Sequence, residues 1–424
     1  MAKPKLALIP AAQGTKFYSV LPSDGSGDFT FTRGSVATRI NAQGLIENVA
    51  SGQSRLDYPL IDGVQKGCPH HILEPARTNL LTHSEGFITD WNNTNITINS
   101  NSIISPDGSL NGTKFIPNTT SSGHYLDRNG ITVNSNATAS IFAKKGEYKR
   151  FAIRSYFTGA NAIFDVNEGI IVSASSVTAK IEDYGNGWYR CSLNETLNAS
   201  YGYGIFVMED DSINPLYAYS GNGVDGMYFY GASLEIGSFI SSYIPTTTTA
   251  VTRSAETASG AGNSTTFNDS EGVFMVETSF VNDTSFKGIS ISSGANGNAI
   301  RIYSSLADNQ LVFRVTVNSV DQVLKLYTLS DTSLYNKISL KYKENDFSVF
   351  INGFKLLTDD SGSTFSNGVL NQLNFNRSDG NDPFYGKAKQ VQYFDSALAD
   401  TQLEQLTSWQ SFRDMANGQL YTIE

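Results

Sequence analysis

Apolar positions recur along this chain with the period of strands, not helices. Thr138–Ala143 (TASIFA), Arg150–Tyr156 (RFAIRSY), Gly187–Leu193 (GWYRCSL), Gly204–Met208 (GIFVM) and Gly226–Ala232 (GMYFYGA) each alternate or run continuously apolar. Each spans about 4–8 residues and is rich in β-branched and aromatic types, which fit a pleated, half-buried surface. Turn residues separate such stretches every ten residues or so, the spacing of sandwiches and jelly rolls. One segment has helical period: Asp400–Leu406 (DTQLEQL) opens on a capping residue and sets Leu403 and Leu406 on one face. The expected fold is all-β. It comprises two β-sandwich (jelly-roll) domains in series after an extended β-rich N-terminal region, with one short C-terminal helix.

The pattern also sets boundaries. Residues 1–79 alternate short strands with glycine turns such as SDGSGD and RGSVATRINAQG. Their apolar strands have too few neighbours to cover their edges, so this region reads as a docking and oligomerisation element. Residues 80–245 carry the first run of regular strands. The stretch Pro245–Gly262 (PTTTTAVTRSAETASGAG) lacks apolar periodicity, and residues 246–262 read as a linker. Residues 263–416 form a second all-β run closed by the helix, and residues 417–424 a tail. No short repeat is present, which argues against a solenoid or propeller.

Composition narrows the function classes. The chain has 424 residues, with Lys plus Arg 30 and Asp plus Glu 40, a net charge of −10. That opposes a nucleic-acid groove, which needs a basic face. Charged residues are 17 % and aromatics 12 %, the reverse of a disordered chain. No apolar run approaches the ~18 residues of a membrane span, so no membrane insertion is expected. The opening MAKPKLALIPAAQG has an apolar patch, Leu6–Ala12, broken by Pro10; it reads as a first strand or arm, not a signal peptide. Cys68 and Cys191 are too few for a disulfide scaffold or a cysteine zinc cluster, and read as reduced, buried small residues.

No Walker loop, no GxGxxG following a strand, no HExxH and no GxSxG is present. The histidines are His70, His71, His83 and His124. The adjacent pair would face opposite sides of a strand and reads as a polar turn after Cys68–Pro69. Sandwich glycosidases need two carboxylates facing one another across a bond. Glu182–Asp183 and Glu209–Asp210–Asp211 are adjacent runs before turns, so they read as solvated turn acids. Asp359–Gly362 and Asp379–Asp382 offer clustered oxygens without the spacing of a calcium hand, and such clusters also make metal-free turns. The expectation is no enzyme, no cofactor and no metal.

What remains is an aromatic surplus, with Tyr 21 and Phe 25. A sugar face is partly apolar and stacks on a flat ring, while its hydroxyls need amides or acids nearby. The candidate glycan contacts are Trp91 beside Asn92 and Asn93, then Tyr201, Tyr203 and Tyr217 near Asn198, and Asp379, Asn381 and Tyr385. Trp188 reads as core, and Trp409 as packing on the helix.

Four segments resemble structural appendage proteins of tailed bacteriophages, of tail-fibre or head-fibre type. They are Val20–Glu47 with RLDYP at Arg55–Pro59, LEPARTNLLTHSEGF at Leu73–Phe87, YGNGWYRCS at Tyr184–Ser192, and YGASLEIGSFISSYIPTTTTAVTRSAE at Tyr230–Glu256. The resemblance implies a middle jelly roll similar to carbohydrate-binding modules. It further implies a non-enzymatic virion protein, assembled in the host cytoplasm and commonly a homotrimer. Residues 1–79 would contact other virion proteins, and loops of the two sandwiches would meet host surface glycans. Leu334–Leu356 and Phe384–Leu406 resemble concanavalin A-like and laminin G-like sandwiches. Turns are expected there at Glu344–Asn345–Asp346 and Asn352–Gly353, the latter a strong hairpin signal. That fold class serves lectins, hydrolases and spacers alike. No heptad stalk or β-helix repeat accompanies the resemblance. Two other readings stand beside it. A polysaccharide depolymerase needs facing acids about 5–10 Å apart in a groove, and a bacterial surface adhesin needs an export signal.

Overall fold

The computed structural model describes residues 3–418 apart from 134, 157, 197–198, 282 and 284. Strands make up 50 % of the chain and helices 3 %, so the all-β expectation holds. The middle of the chain is a two-sheet sandwich. One sheet runs, in spatial order, Asn92–Thr94, His124–Val133, Ala199–Met208, Arg150–Ser155, Asn161–Asp165 and Ile170–Ser175. The other runs Ile96–Ile104, Leu110–Pro117, Met227–Ile236, Asn136–Lys144, Trp188–Thr196 and Thr178–Asp183. Alternation places Phe151, Ile153, Tyr203 and Ile205 of the first sheet against Phe115, Ile141 and Phe229 of the second. Trp188 is buried as expected, with its indole N–H donating to the Ile104 carbonyl at 3.0 Å.

The outer sides of these two sheets differ. The second sheet turns Phe142, Trp188 and Tyr230 outward, where Ile46 and Tyr243 cover them. That sheet is docked on the rest of the chain. The first sheet is the free one.

The C-terminal sandwich has a five-stranded sheet, Val320–Thr328, Gln310–Val317, Ala299–Ser304, Lys287–Ser292 and Gln372–Asn374. Opposite lies a larger sheet that includes Gly386–Phe394, Glu271–Phe280, Asn336–Lys343, Phe347–Ile351 and Phe354–Asp359. The expected hairpin is present: Asn352 and Gly353 take φ of 49° and 85° between Phe347–Ile351 and Phe354–Asp359. Asn345 likewise turns the chain with φ of 56°.

Residues 1–79 are not an open region, which corrects the sequence reading. Leu6–Leu8 pairs with Gly386–Phe394 on one side and Ser19–Leu21 on the other. His70–Leu73 pairs with the same long strand further along and with Leu56–Asp57. Leu6, Leu8, Phe17, Phe29, Phe31 and Leu73 share one buried core with Phe274, Ile291 and Tyr393. Leu6–Leu8 and His70–Leu73 find a partner strand more than 300 positions downstream within the same chain, and Phe29–Thr32 one more than 220 downstream.

The expected linker is equally tied in. Val251–Arg253 pairs with Arg77–Asn79, and Thr257–Ser259 pairs with Phe29–Thr32. Its low hydropathy misled because what it buries is charge. Glu256 accepts hydrogen bonds from Arg33 Nη1 at 2.7 Å, Arg55 Nε at 2.9 Å and the Glu74 backbone N–H at 2.9 Å. Glu74 pairs with Arg55 at 2.8 Å and Arg253 at 2.9 Å, and accepts from both the N–H and the hydroxyl of Ser242. Arg253 also donates to the Pro75 carbonyl at 2.7 Å. Buried charges persist only when paired and hydrogen-bonded in this way. All five ionic side chains come from Val20–Glu47, Arg55–Pro59, Leu73–Phe87 and Tyr230–Glu256.

Three smaller expectations need correction. His70 and His71 lie in a strand, not a turn, and both are buried: His70 contacts Asp57 Oδ2 at 2.9 Å, while His71 stacks on Phe17 at 3.8 Å. Both cysteines are free, but Cys68 is exposed while Cys191 is buried. Two helices close the described chain, α1 (Asp400–Thr407) and α2 (Phe412–Gly418). The N-cap of α1 is Ala399, and the Asp400 carboxylate pairs with Lys355 at 2.6 Å and Lys341 at 3.3 Å. The start of the expected 417–424 tail belongs to α2, and residues 419–424 lie outside the described residues. Trp409 is half-buried beneath the Lys337 ammonium, 4.6 Å from its ring centre.

Candidate functional site

The structure separates the candidate glycan contacts. Trp91 and Tyr203 are core residues and drop out. The Trp91 indole donates to the His83 carbonyl at 3.2 Å, and its ring meets Phe87 at 5.3 Å and Tyr203 at 6.1 Å. Tyr203 is fully buried, with its hydroxyl on the Ser140 carbonyl. Tyr201 pairs with Ile131 in the free sheet, and its side chain lies outside the described residues, as does Asn198. Asp379 and Asn381 are exposed and form a self-contained turn, the Asn381 N–H donating to Asp379 Oδ1 at 3.1 Å. Asn296 reaches Asp379 Oδ2 at 2.5 Å. Burial raises the Asp379 carboxyl, but these hydrogen bonds outweigh it and hold the group below its ordinary value. Tyr385 is half-buried, its phenol raised by burial with Arg77 opposing. Asp379 thus takes hydrogen bonds from both Asn381 and Asn296.

A different ring surface is built on the outer side of the free sheet. Tyr125, Asp127 and Asn129 alternate outward along one strand; Arg154 and Tyr156 do so at the end of another. Tyr125 stacks on Phe206 with centroids 4.5 Å apart, and Tyr156 lies 6.0 Å from Tyr125 and 5.9 Å from Phe206. The floor beneath them is Gly202, Gly204 and Ala152. At Gly204 a Cβ would meet the Phe206 and Tyr156 rings, each at 2.7 Å, so glycine is what lets the rings lie flat. Asp127 Oδ2 accepts from Asn92 Nδ2 at 3.1 Å and also from Asn129. Burial raises the Asp127 carboxyl, and the Asn92 bond only partly offsets it. The Arg154 guanidinium sits 5.4 Å from the Tyr156 ring centre. Burial and the neighbouring Asp127 push the Tyr156 phenol far up, so it stays a neutral hydrogen-bonding group. The surface thus combines ring faces with an acceptor carboxylate, amides and a guanidinium, the chemistry a saccharide needs.

Tyr217 belongs elsewhere. It lines a cleft of about 710 Å³ at one end of the jelly roll, between residues 209–225 and the turn at 147–148. Glu209, Asp210 and Asp211, expected as turn acids, line this cleft together with Glu147 and Asp225. Asp210 Oδ1 accepts the Lys149 N–H at 3.0 Å, and Glu147 pairs with Lys114 at 2.7 Å. Burial works against it, but hydrogen bonds from Lys114 and Gly226 push the Glu147 carboxyl down, the opposite of what a general acid requires.

Neither a protein-family model nor a curated protein matches the chain. Among solved structures, the Ruminococcus gnavus IT-sialidase CBM40 bound to alpha2,3 sialyllactose is similar at 20 % identity, over 35 % of this chain and 88 % of its own, with a TM-score of 0.30. The SAP-like pentraxin of Limulus polyphemus is similar at 13 % identity, over 34 % and 72 %, with a TM-score of 0.27. Mouse laminin alpha1 domains LG4-5 are similar at 9 % identity, over 66 % and 90 %, with a TM-score of 0.24. At these scores the likenesses bear on neither fold nor function.

Proposed function

We propose that this chain is a non-enzymatic structural protein of a tailed-phage particle whose jelly roll meets host surface glycans on its free sheet. One observation carries the glycan half: Tyr125 and Tyr156 flank a glycine floor beside Asn92, Asp127, Asn129 and Arg154, on the side of the sandwich that the rest of the chain leaves open. The virion half rests on the phage-like segments, whose charged residues converge in one buried network. A single shallow sugar site holds with a Kd on the order of 1 mM. Several copies on one particle raise avidity by roughly 10²–10⁴, so an assembled form, a trimer by the resemblance, suits the task.

Glycan-array binding of the assembled protein tests the site. Tyr156→Ala and Tyr125→Ala should each abolish the signal while leaving the thermal melt within a few degrees of the parent. Retained binding in both variants overturns the glycan assignment. Antibody labelling of intact particles tests the virion half separately.

A further inference from the structure

Beyond residues 1–79, one end of the jelly roll offers a surface suited to docking. Ile213, Leu216, Tyr217 and Val224 are 73 %, 56 %, 53 % and 68 % exposed, four large apolar side chains within one connection between strands. Exposed apolar clusters of this kind mark interaction surfaces. Ile213 and Tyr217 line the same cleft as Glu209, Asp210, Asp211 and Asp225. Among the described residues, the ion pair made to a cleft carboxylate is Lys114 on Glu147, which leaves the other four acids without a cation. No group of acids among the described residues converges to hold a metal ion. The cleft is lined by the Tyr148 and Tyr217 rings and by Ile213, with Leu216 and Val224 exposed on the same connection. Apolar anchors around a negatively charged floor fit a protein segment of the opposite kind.

We propose that this cleft docks a partner protein through a segment in which lysine or arginine alternates with large apolar residues. The apolar side chains of that segment would cover Ile213, Tyr217 and Val224, and its cations would face Glu209, Asp211 and Asp225. Like-charge repulsion excludes acidic partners, and the cationic term makes the encounter sensitive to salt.

The test uses the full chain and a short fluorescent peptide alternating lysine and leucine, followed by anisotropy at physiological salt. Two control peptides replace every lysine by glutamate, or every leucine by serine. The expected result is saturable binding of the lysine–leucine peptide alone. It should weaken about tenfold in Glu209→Gln with Asp211→Asn, and again in Ile213→Ser with Val224→Ser. It should not change in Asp359→Asn with Asp360→Asn, a remote acidic turn. Glu209, Asp211, Ile213, Val224 and Asp360 are exposed and Asp359 is half-buried at the end of a strand, and the thermal melt should stay with the parent. Equal binding of the lysine–serine peptide, equal weakening by the remote pair, or no weakening by either cleft variant overturns the proposal. Binding of chitosan oligomers without the peptide overturns it too, and assigns the cleft to a cationic sugar.

Discussion

Arg55 and Glu256 lie 201 positions apart, yet both oxygens of the Glu256 carboxylate accept hydrogen bonds from the Arg55 guanidinium, the Nε bond at 2.9 Å. Both side chains are fully buried. Through Arg33, Glu74 and Arg253 the pair ties the N-terminal strands to the segment at Arg253–Glu256 at one point.

Glu256→Gln should therefore be severe. It leaves two buried guanidinium groups short of a counter-charge, a loss of about 3–5 kcal/mol. Urea unfolding should show the drop. Asp395→Asn breaks only the exposed Lys5–Asp395 contact at 4.0 Å and should cost less than about 1 kcal/mol.

Stability should also fall in mild acid. Burial depresses His70 to about 4 and His71 to about 3. The unfolded chain takes up protons below about pH 6.5 while the folded chain refuses them, so the stabilisation present above pH 6.5 is lost as pH falls toward these values. Between pH 7 and 5 the loss is on the order of 2 kcal/mol per histidine. Burial raises the Glu74 carboxyl, but Arg253 and Arg55 overcome it and hold it far below its ordinary value, so its contribution is lost only in stronger acid. Urea midpoints across this range should fall steadily, and His71→Phe should flatten the slope.

Gly204→Ala probes the ring surface without touching a ring. The added methyl collides with Phe206 and Tyr156. A loss of about 1–3 kcal/mol is expected as the rings shift. The protein should still fold by circular dichroism, and glycan binding should disappear.

The hairpin at Asn352–Gly353 offers a backbone test. Gly353 has φ of 85°, and a Cβ there would approach the Ser408 hydroxyl at 2.6 Å. Gly353→Ala should cost about 1–2 kcal/mol by thermal melt, since the left-handed conformation penalises any Cβ.

Strand content, the two sandwiches, the Asn352–Gly353 turn and the burial of Trp188 were legible because each is written in local pattern. The partners of residues 1–79 were not, because period-2 alternation says which face is apolar but not which distant strand will cover it. Residues 246–262 were missed for a related reason: Arg253 and Glu256 carry no hydropathy signal, and their partners lie in three other segments. The ring surface was missed by one step of phase. In the run YGYG the tyrosines draw attention, yet Tyr203 points into the core and Gly202 and Gly204 mark the outer floor. The alternation Tyr125, Asp127, Asn129 and the pair Arg154, Tyr156 held the signal. Asn92 was chosen as a neighbour of Trp91, but strand geometry sends the indole inward and the amide out to Asp127.

The pairing of Leu6–Leu8 with Gly386–Phe394 constrains the order of events during synthesis. The jelly-roll strands all fall within residues 92–236, so that module has every partner it needs by mid-translation. The C-terminal sandwich does not: its strand Leu6–Leu8 is made long before its partner Gly386–Phe394 and must wait for it. Contacts of such long sequence separation form slowly and leave apolar strands exposed meanwhile. A nascent chain stalled before residue 386 would carry a native centre between two adhesive, unfinished ends, a natural client for chaperones.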